Sequence, residues 1–217
     1  MKTICWLWVV LIFSLWLPGA PKAQEMAIGL AGKDQRKAVG VPEIFNNDWD
    51  FHKGDIANGI LAVESEKDWR KLNLPHDWSI EGPFSEEWAS ATAYLPSGIA
   101  WYKKTFKMDR HWKGKQIQIY FDGVYKNSEV WINGHFLGKR PNGFIPFYYD
   151  LTPYLKSRGE NTIAVKVDHR EFADSRWYTG SGIYRNVYLI VQNPVHIGLW
   201  DVAFSTPKVS KEAATVK

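Results

Sequence analysis

The stretch QIQIYFDGVYKNSEVWINGHFL, residues 116–137, decides the fold. Ile117, Ile119 and Phe121 alternate with Gln116, Gln118 and Tyr120. A period of two puts the apolar set on one face of a half-buried strand. A second apolar run, Ser128–Ile132, follows, then Asn133-Gly134, then His135–Leu137. Asn-Gly between two apolar runs predicts a tight hairpin, because both turn positions need positive φ. Trp131 falls inside the second run and reads as core.

The same period continues on both sides. Thr162–Val167 alternates with Ile163, Val165 and Val167 inward, and Ile183–Val191 reads as a longer strand with Val187, Leu189 and Val191 on one side. Trp49–His52 and Trp101–Phe106 are further strand candidates. Helical signal is confined to Asp150-Leu151-Thr152-Pro153-Tyr154-Leu155, where a cap residue precedes Pro near the first helical position; one short turn is expected there, ending before Gly159. Many short strands broken by Gly, Pro and Asn predict an all-β antiparallel sandwich. No internal repeat is visible.

A chain of 217 residues suits one to two domains. With 45% apolar and 23% charged residues it is neither disordered, collagen-like nor a multi-pass membrane protein. The formal net charge of +4 comes from basic residues interleaved with acidic ones, so no nucleic-acid patch is indicated. The aromatic share of 15%, including 12 Trp, suits strands and also surfaces that bind flat ligands.

The N-terminus reads as an address. Lys2 is followed by the apolar run Ile4–Leu17, which Pro18-Gly19 breaks and which small residues Ala20 and Ala23 follow. The run is shorter than the roughly 20 residues that span a bilayer. Residues 1–23 are therefore expected to be a secretory signal peptide, and the protein is expected to be exported, periplasmic or secreted. Cleavage after Ala23 removes Lys2 and Lys22, taking +4 to +2, and removes Cys5, the single cysteine. The mature chain then depends on core packing rather than disulfides. Residues 24–41 are read as a flexible lead-in, 42–193 as the sandwich, and 194–217 as the start of a second, truncated β-sandwich domain.

Searches for catalytic patterns return little. There is no G-x-S-x-G elbow. Gly180-Ser181-Gly182 lacks a third glycine and precedes a strand, so it is no dinucleotide loop. His52, His76, His111, His135, His169 and His196 are scattered without metal-ligand spacing, so neither a metal nor a cofactor is predicted. Two segments carry the chemistry instead: Leu74–Gly82 (LPHDWSIEG) and Asp174–Val187 (DSRWYTGSGIYRNV). Each mixes aromatic rings with charged and hydroxyl groups. Sugars suit that mixture, since their hydroxyls pair with Asp and Arg and their C–H faces lie against Trp or Tyr.

These two segments, with Phe121-Asp122-Gly123-Val124, Val130-Trp131-Ile132-Asn133-Gly134, Gly159-Glu160-Asn161-Thr162 and Ala91–Tyr102, resemble the N-terminal domain of glycoside hydrolase family 2. The likeness is greatest to the exported bacterial β-galactosidases. It runs in order from about Phe45 to Val191, and the ordered set is specific where no single motif is. The resemblance implies a galactose-binding-like jelly roll, followed in the family by an immunoglobulin-like sandwich and a TIM barrel that carries two catalytic glutamates. The tail from Val195 resembles the first strand of that second domain. Without a barrel, this chain is expected to be inactive alone and to carry no catalytic residue of its own.

The resemblance also implies that this domain lends residues to the rim of the barrel's site. The matching acid is Asp174, with Arg176, Trp177 and Tyr178 as companion or rival substrate contacts. The structural alternatives are a turn cap or ion pair for Asp174 and packing under the loop for Trp177 and Tyr178. Arg185 reads as a structural ion-pair partner, and His76, Asp77 and Trp78 as an interface or buried corner. The expected partners are a carbohydrate, a galactoside first, and a downstream barrel of the same polypeptide, with no nucleic acid and no membrane after signal cleavage. A stand-alone carbohydrate-binding module is the alternative.

Overall fold

Alternation in the sequence becomes two antiparallel sheets packed face to face. The structure, a computed structural model, describes residues 40–171 and 175–217. The expected signal peptide and all but the last two residues of the expected lead-in lie outside them. The strands are β1 (Glu43–Ile44), β2 (Trp49–Lys53), β3 (Arg70–Leu72), β4 (Gly98–Lys107), β5 (Gln116–Phe121) and β6 (Ser128–Ile132), then β7 (His135–Arg140), β8 (Phe147–Asp150), β9 (Glu160–His169) and β10 (Val187–Gln192). One sheet has four strands in the order β1-β10-β5-β8, and the other six in the order β3-β2-β4-β9-β6-β7. Every pairing is antiparallel, as the jelly-roll reading requires.

The inward faces meet in one core. Ile117, Ile119 and Phe121 of β5 and Val187 and Leu189 of β10 pack against Val130, Ile132, Ile163, Val165 and Val167 of the larger sheet. Trp131 is buried too, but on the other face of its strand. It stacks on Trp101 with centroids 5.4 Å apart, in a second cluster with Ile56, Val63, Ile99 and Ala164. The segment between β2 and β3 supplies Ile56 and Val63 and so covers the outer face of the six-stranded sheet there.

The Asn133-Gly134 turn has φ of 50° and 83°, the double positive value that the hairpin needs. Asn133 also bonds outward: its Nδ2 donates to Tyr154 O at 2.8 Å and to the buried Asn161 Oδ1 at 2.9 Å. The expected helical turn is a 3-10 turn at Thr152–Tyr154 with Pro153 near its start, and Asp150 Oδ1 accepts from Thr152 N at 2.9 Å.

Two boundaries differ from expectation. The strand expected from Ile183 begins at Val187, because residues 181–183 bond to other segments. The apolar run 195–204 forms no strand; the hairpin that follows pairs β11 (Lys208–Val209) with β12 (Ala214–Thr215). At the other end, Gly40 N donates to Val191 O at 2.7 Å, so the end of the lead-in is already tied to the sheet.

Candidate functional site

One end of the six-stranded sheet collects Lys53, Gly98 and His169, the last two directly paired. The loop that leaves β9 there turns back along the segment 74–82. His76 N donates to Ile183 O at 2.8 Å and Trp78 N to Ser181 O at 3.1 Å, so the two chemically rich segments lie side by side. Gly182 also exchanges both backbone bonds with Tyr125, at 2.9 and 2.8 Å.

This close approach explains the glycines. Gly182 has φ of 118°, and a Cβ there would come within 2.3 Å of Tyr102 Oη and 2.9 Å of His76 O. Gly180 has φ of 71°, and a Cβ would meet Asp77 Oδ2 at 2.5 Å. Side chains are excluded at both positions by conformation and by space.

Asp77 is the clamp of the corner. Its Oδ1 accepts from Ser79 N at 2.9 Å and Ser181 N at 2.8 Å, and its Oδ2 accepts from the Tyr178 hydroxyl. Burial and the Asp77 carboxylate push the Tyr178 phenol far above its ordinary range, so it stays a donor. Behind the clamp runs a buried chain of hydroxyls. His169 Nδ1 is 2.7 Å from Ser181 Oγ, which is 2.6 Å from Ser79 Oγ, which donates to Pro96 O at 2.7 Å. Pro96 O only accepts, so the chain runs one way, with His169 Nδ1 carrying its proton.

Below it His76 Nδ1 lies 2.8 Å from the buried Tyr102 hydroxyl, and His76 Nε2 lies 3.0 Å from Glu81 Oε1, which shares its carboxylate with Arg70. Burial lowers the His76 pKa, against the opposing pull of Glu81. A neutral imidazole that accepts at Nδ1 and donates at Nε2 satisfies both contacts. Lys53 Nζ donates to Ser97 O at 2.8 Å and sits 4.5 Å over the Trp78 ring. Burial of this amine pushes its pKa down to about 8.

The site candidates stand on the rim of this frame. Trp177 is 64% exposed and Tyr178 40%. Arg176 is exposed as well. Ser175 Oγ donates to Trp177 O at 2.6 Å and closes the turn that presents the indole. Asp174 lies outside the described residues. Tyr178 is brought to Asp77, while Arg176 and Trp177 face outward. In the 76–78 segment Trp78 is buried, while His76 and Asp77 are half-buried and spend their side-chain polar atoms on the bonds described above. Arg185 forms no ion pair among the described residues; its guanidinium lies 5.2 Å over the Tyr184 ring. Sequence reasoning missed the clamp role of Asp77 and the His169–Ser181–Ser79 chain, since neither has a spacing signature.

Residues 35–194 match the family described as "Glycosyl hydrolases family 2, sugar binding domain". The chain belongs to glycosyl hydrolase family 2. Its sugar-binding domain is similar to that of the β-galactosidase BoGH2A of Bacteroides ovatus, at 51% identity over 174 residues, covering 79% of this chain and 20% of that protein. A β-glucuronidase of Formosa agariphila is 36% identical over 178 residues, covering 71% of this chain and 17% of that protein. Among solved structures, a β-glycosidase from Bacteroides vulgatus superposes with a TM-score of 0.72 at 49% identity, covering 82% of this chain and 24% of that one. The chain thus spans about a fifth of the length of the curated relatives it matches.

Proposed function

We propose that this family 2 sugar-binding domain completes the saccharide site of an exported glycosidase of the β-galactosidase type, with bond cleavage carried out by a barrel elsewhere in the same polypeptide. Asp174, Arg176, Trp177 and Tyr178 form the lip that meets the sugar. The observation that supports this most is the combination at 177–178: a largely open indole beside a tyrosine anchored to a carboxylate that two backbone N–H groups also hold. A rigid frame under an exposed ring is what saccharide stacking needs, because the ring loses little freedom on binding. Residues 194–217 are the start of the next domain, and residues 1–23 are the export signal.

Galactoside is the favoured sugar because of the similarity to the Bacteroides ovatus enzyme. The test uses the open reading frame extended downstream, expressed with and without its barrel. The extended protein is expected to hydrolyse an aryl β-galactoside and the 217-residue chain to leave it intact. Millimolar galactoside binding by the isolated chain, measured by calorimetry, with no downstream barrel would establish the stand-alone binding module instead.

A further inference from the structure

The outward face of the four-stranded sheet carries a second aromatic cluster that the lip does not use. Tyr120 of β5 and Tyr188 of β10 are 6.1 Å apart. Trp200 lies 5.4 Å from Tyr148 of β8 and 6.1 Å from Tyr120. The Trp200 ring is delivered by a closed turn: Gly198 N donates to Asp201 Oδ2 at 3.1 Å, Asp201 N donates back to Gly198 O at 3.3 Å, and Trp200 itself has φ of 64°. Although fixed in this way, Trp200 remains 62% exposed.

Between the rings lies a groove of about 420 Å³, lined by Pro42, Tyr120, Asp122, Tyr188, Leu199 and Trp200 among others. That volume lies within the roughly 300–1,000 Å³ of small-molecule sites. The Asp122 carboxylate makes no hydrogen bond or ion pair among the described residues. The Tyr188 hydroxyl accepts from Asn186 Nδ2 at 3.0 Å and keeps its own proton to donate.

We infer that this groove is a second saccharide-binding surface, separate from the lip, which holds a sugar of a neutral glycan chain. The rings supply apolar platforms for C–H faces. Asp122 accepts from two neighbouring hydroxyls, and Tyr188 donates to a third oxygen. An apolar peptide would leave Asp122 unpaired, whereas the hydroxyls of a glycan pair with it. The surface shares no residue with the lip and does not depend on the catalytic reading.

The test is retardation of the 217-residue chain in native gels containing soluble β-1,4-galactan, arabinogalactan or xyloglucan, with W200A, D122N and W177A alongside. The expected result is retardation by at least one glycan, weakened about tenfold in both W200A and D122N, the loss of one aromatic or charged contact. Thermal melts show which variants remain folded, and D122N preserves shape if W200A does not. Three results overturn the inference: no retardation of the unmutated chain by any of the glycans, equal retardation of D122N, or loss only in W177A. If W200A lowers the melting temperature while D122N binds normally, Trp200 is a clasp for segment 194–201 and not a sugar platform.

Discussion

Replacing Asp77 by Ala should loosen the lip and destabilise the domain together. The substitution removes the acceptor for Ser79 N and Ser181 N, both on residues buried to 1% or less, and for the Tyr178 hydroxyl. A buried donor left without a partner costs about 1–3 kcal/mol, and bonds to a charged acceptor are the stronger ones. The Tyr178 hydroxyl is partly exposed and regains water, so it adds little. The two backbone donors together then give about 3 kcal/mol, taken low in the range because Asp77 is only partly buried. For a domain of this size each kcal/mol moves the midpoint by about 2–4 °C, so the melting temperature should fall by about 6–12 °C. Asp77→Asn keeps one acceptor oxygen and should lose about 1 kcal/mol. The assay is thermal unfolding by circular dichroism, with protease cleavage after Arg176 as a readout of loop opening. An Asp77→Ala domain that melts with the parent and resists cleavage equally would refute the clamp.

The remaining predictions concern the same corner. Because burial holds His76 below its ordinary 6.5, the unfolded chain takes the proton first, so stability should fall as pH drops below about 6.5. For Glu81, burial pushes upward, but its bonds with Arg70 and His76 hold it below its ordinary 4.5, so its contribution is present above 4.5 and is lost as pH falls further. His76→Gln should flatten the upper part of the melting-temperature profile, just below about pH 6.5; an unaltered profile would remove His76 from this role. Gly182→Ala should cost more than Gly134→Ala, since both have positive φ but only Gly182 would clash, and equal melting temperatures would contradict that. Lys53, with its amine near 8, should react with an amine-selective reagent at pH 8 ahead of ordinary lysines, as mapped by mass spectrometry; labelling no faster than theirs would contradict the lowered amine pKa.

Strands and turns were legible wherever local rules decide them. Ile117, Ile119 and Phe121 face the core because alternation demands it, and Asn133-Gly134 turns because no bulkier pair accepts two positive φ values so readily. Trp131 shows where that logic stops: its neighbours Val130 and Ile132 take the core face, and Trp131 is buried only because the distant residues Ile56 and Val63 cover the opposite one. The strand expected from Ile183 fails for a related reason. Ser181, Gly182 and Ile183 spend their backbone groups on Asp77, Tyr125 and His76, partners far away in sequence. The two chemically mixed segments were recognisable from composition. That Asp77 joins them, and so fixes Tyr178 beside an open Trp177, required the fold.

The most direct test is steady-state kinetics of the extended polypeptide carrying Asp174→Ala or Trp177→Ala, with thermal melts to show that the domain is intact. The account predicts that both lower kcat/KM for an aryl β-galactoside by about tenfold or more, the loss of one sugar contact at the transition state. Kinetics equal to the parent in both variants would contradict it and leave this end of the sandwich a purely structural corner.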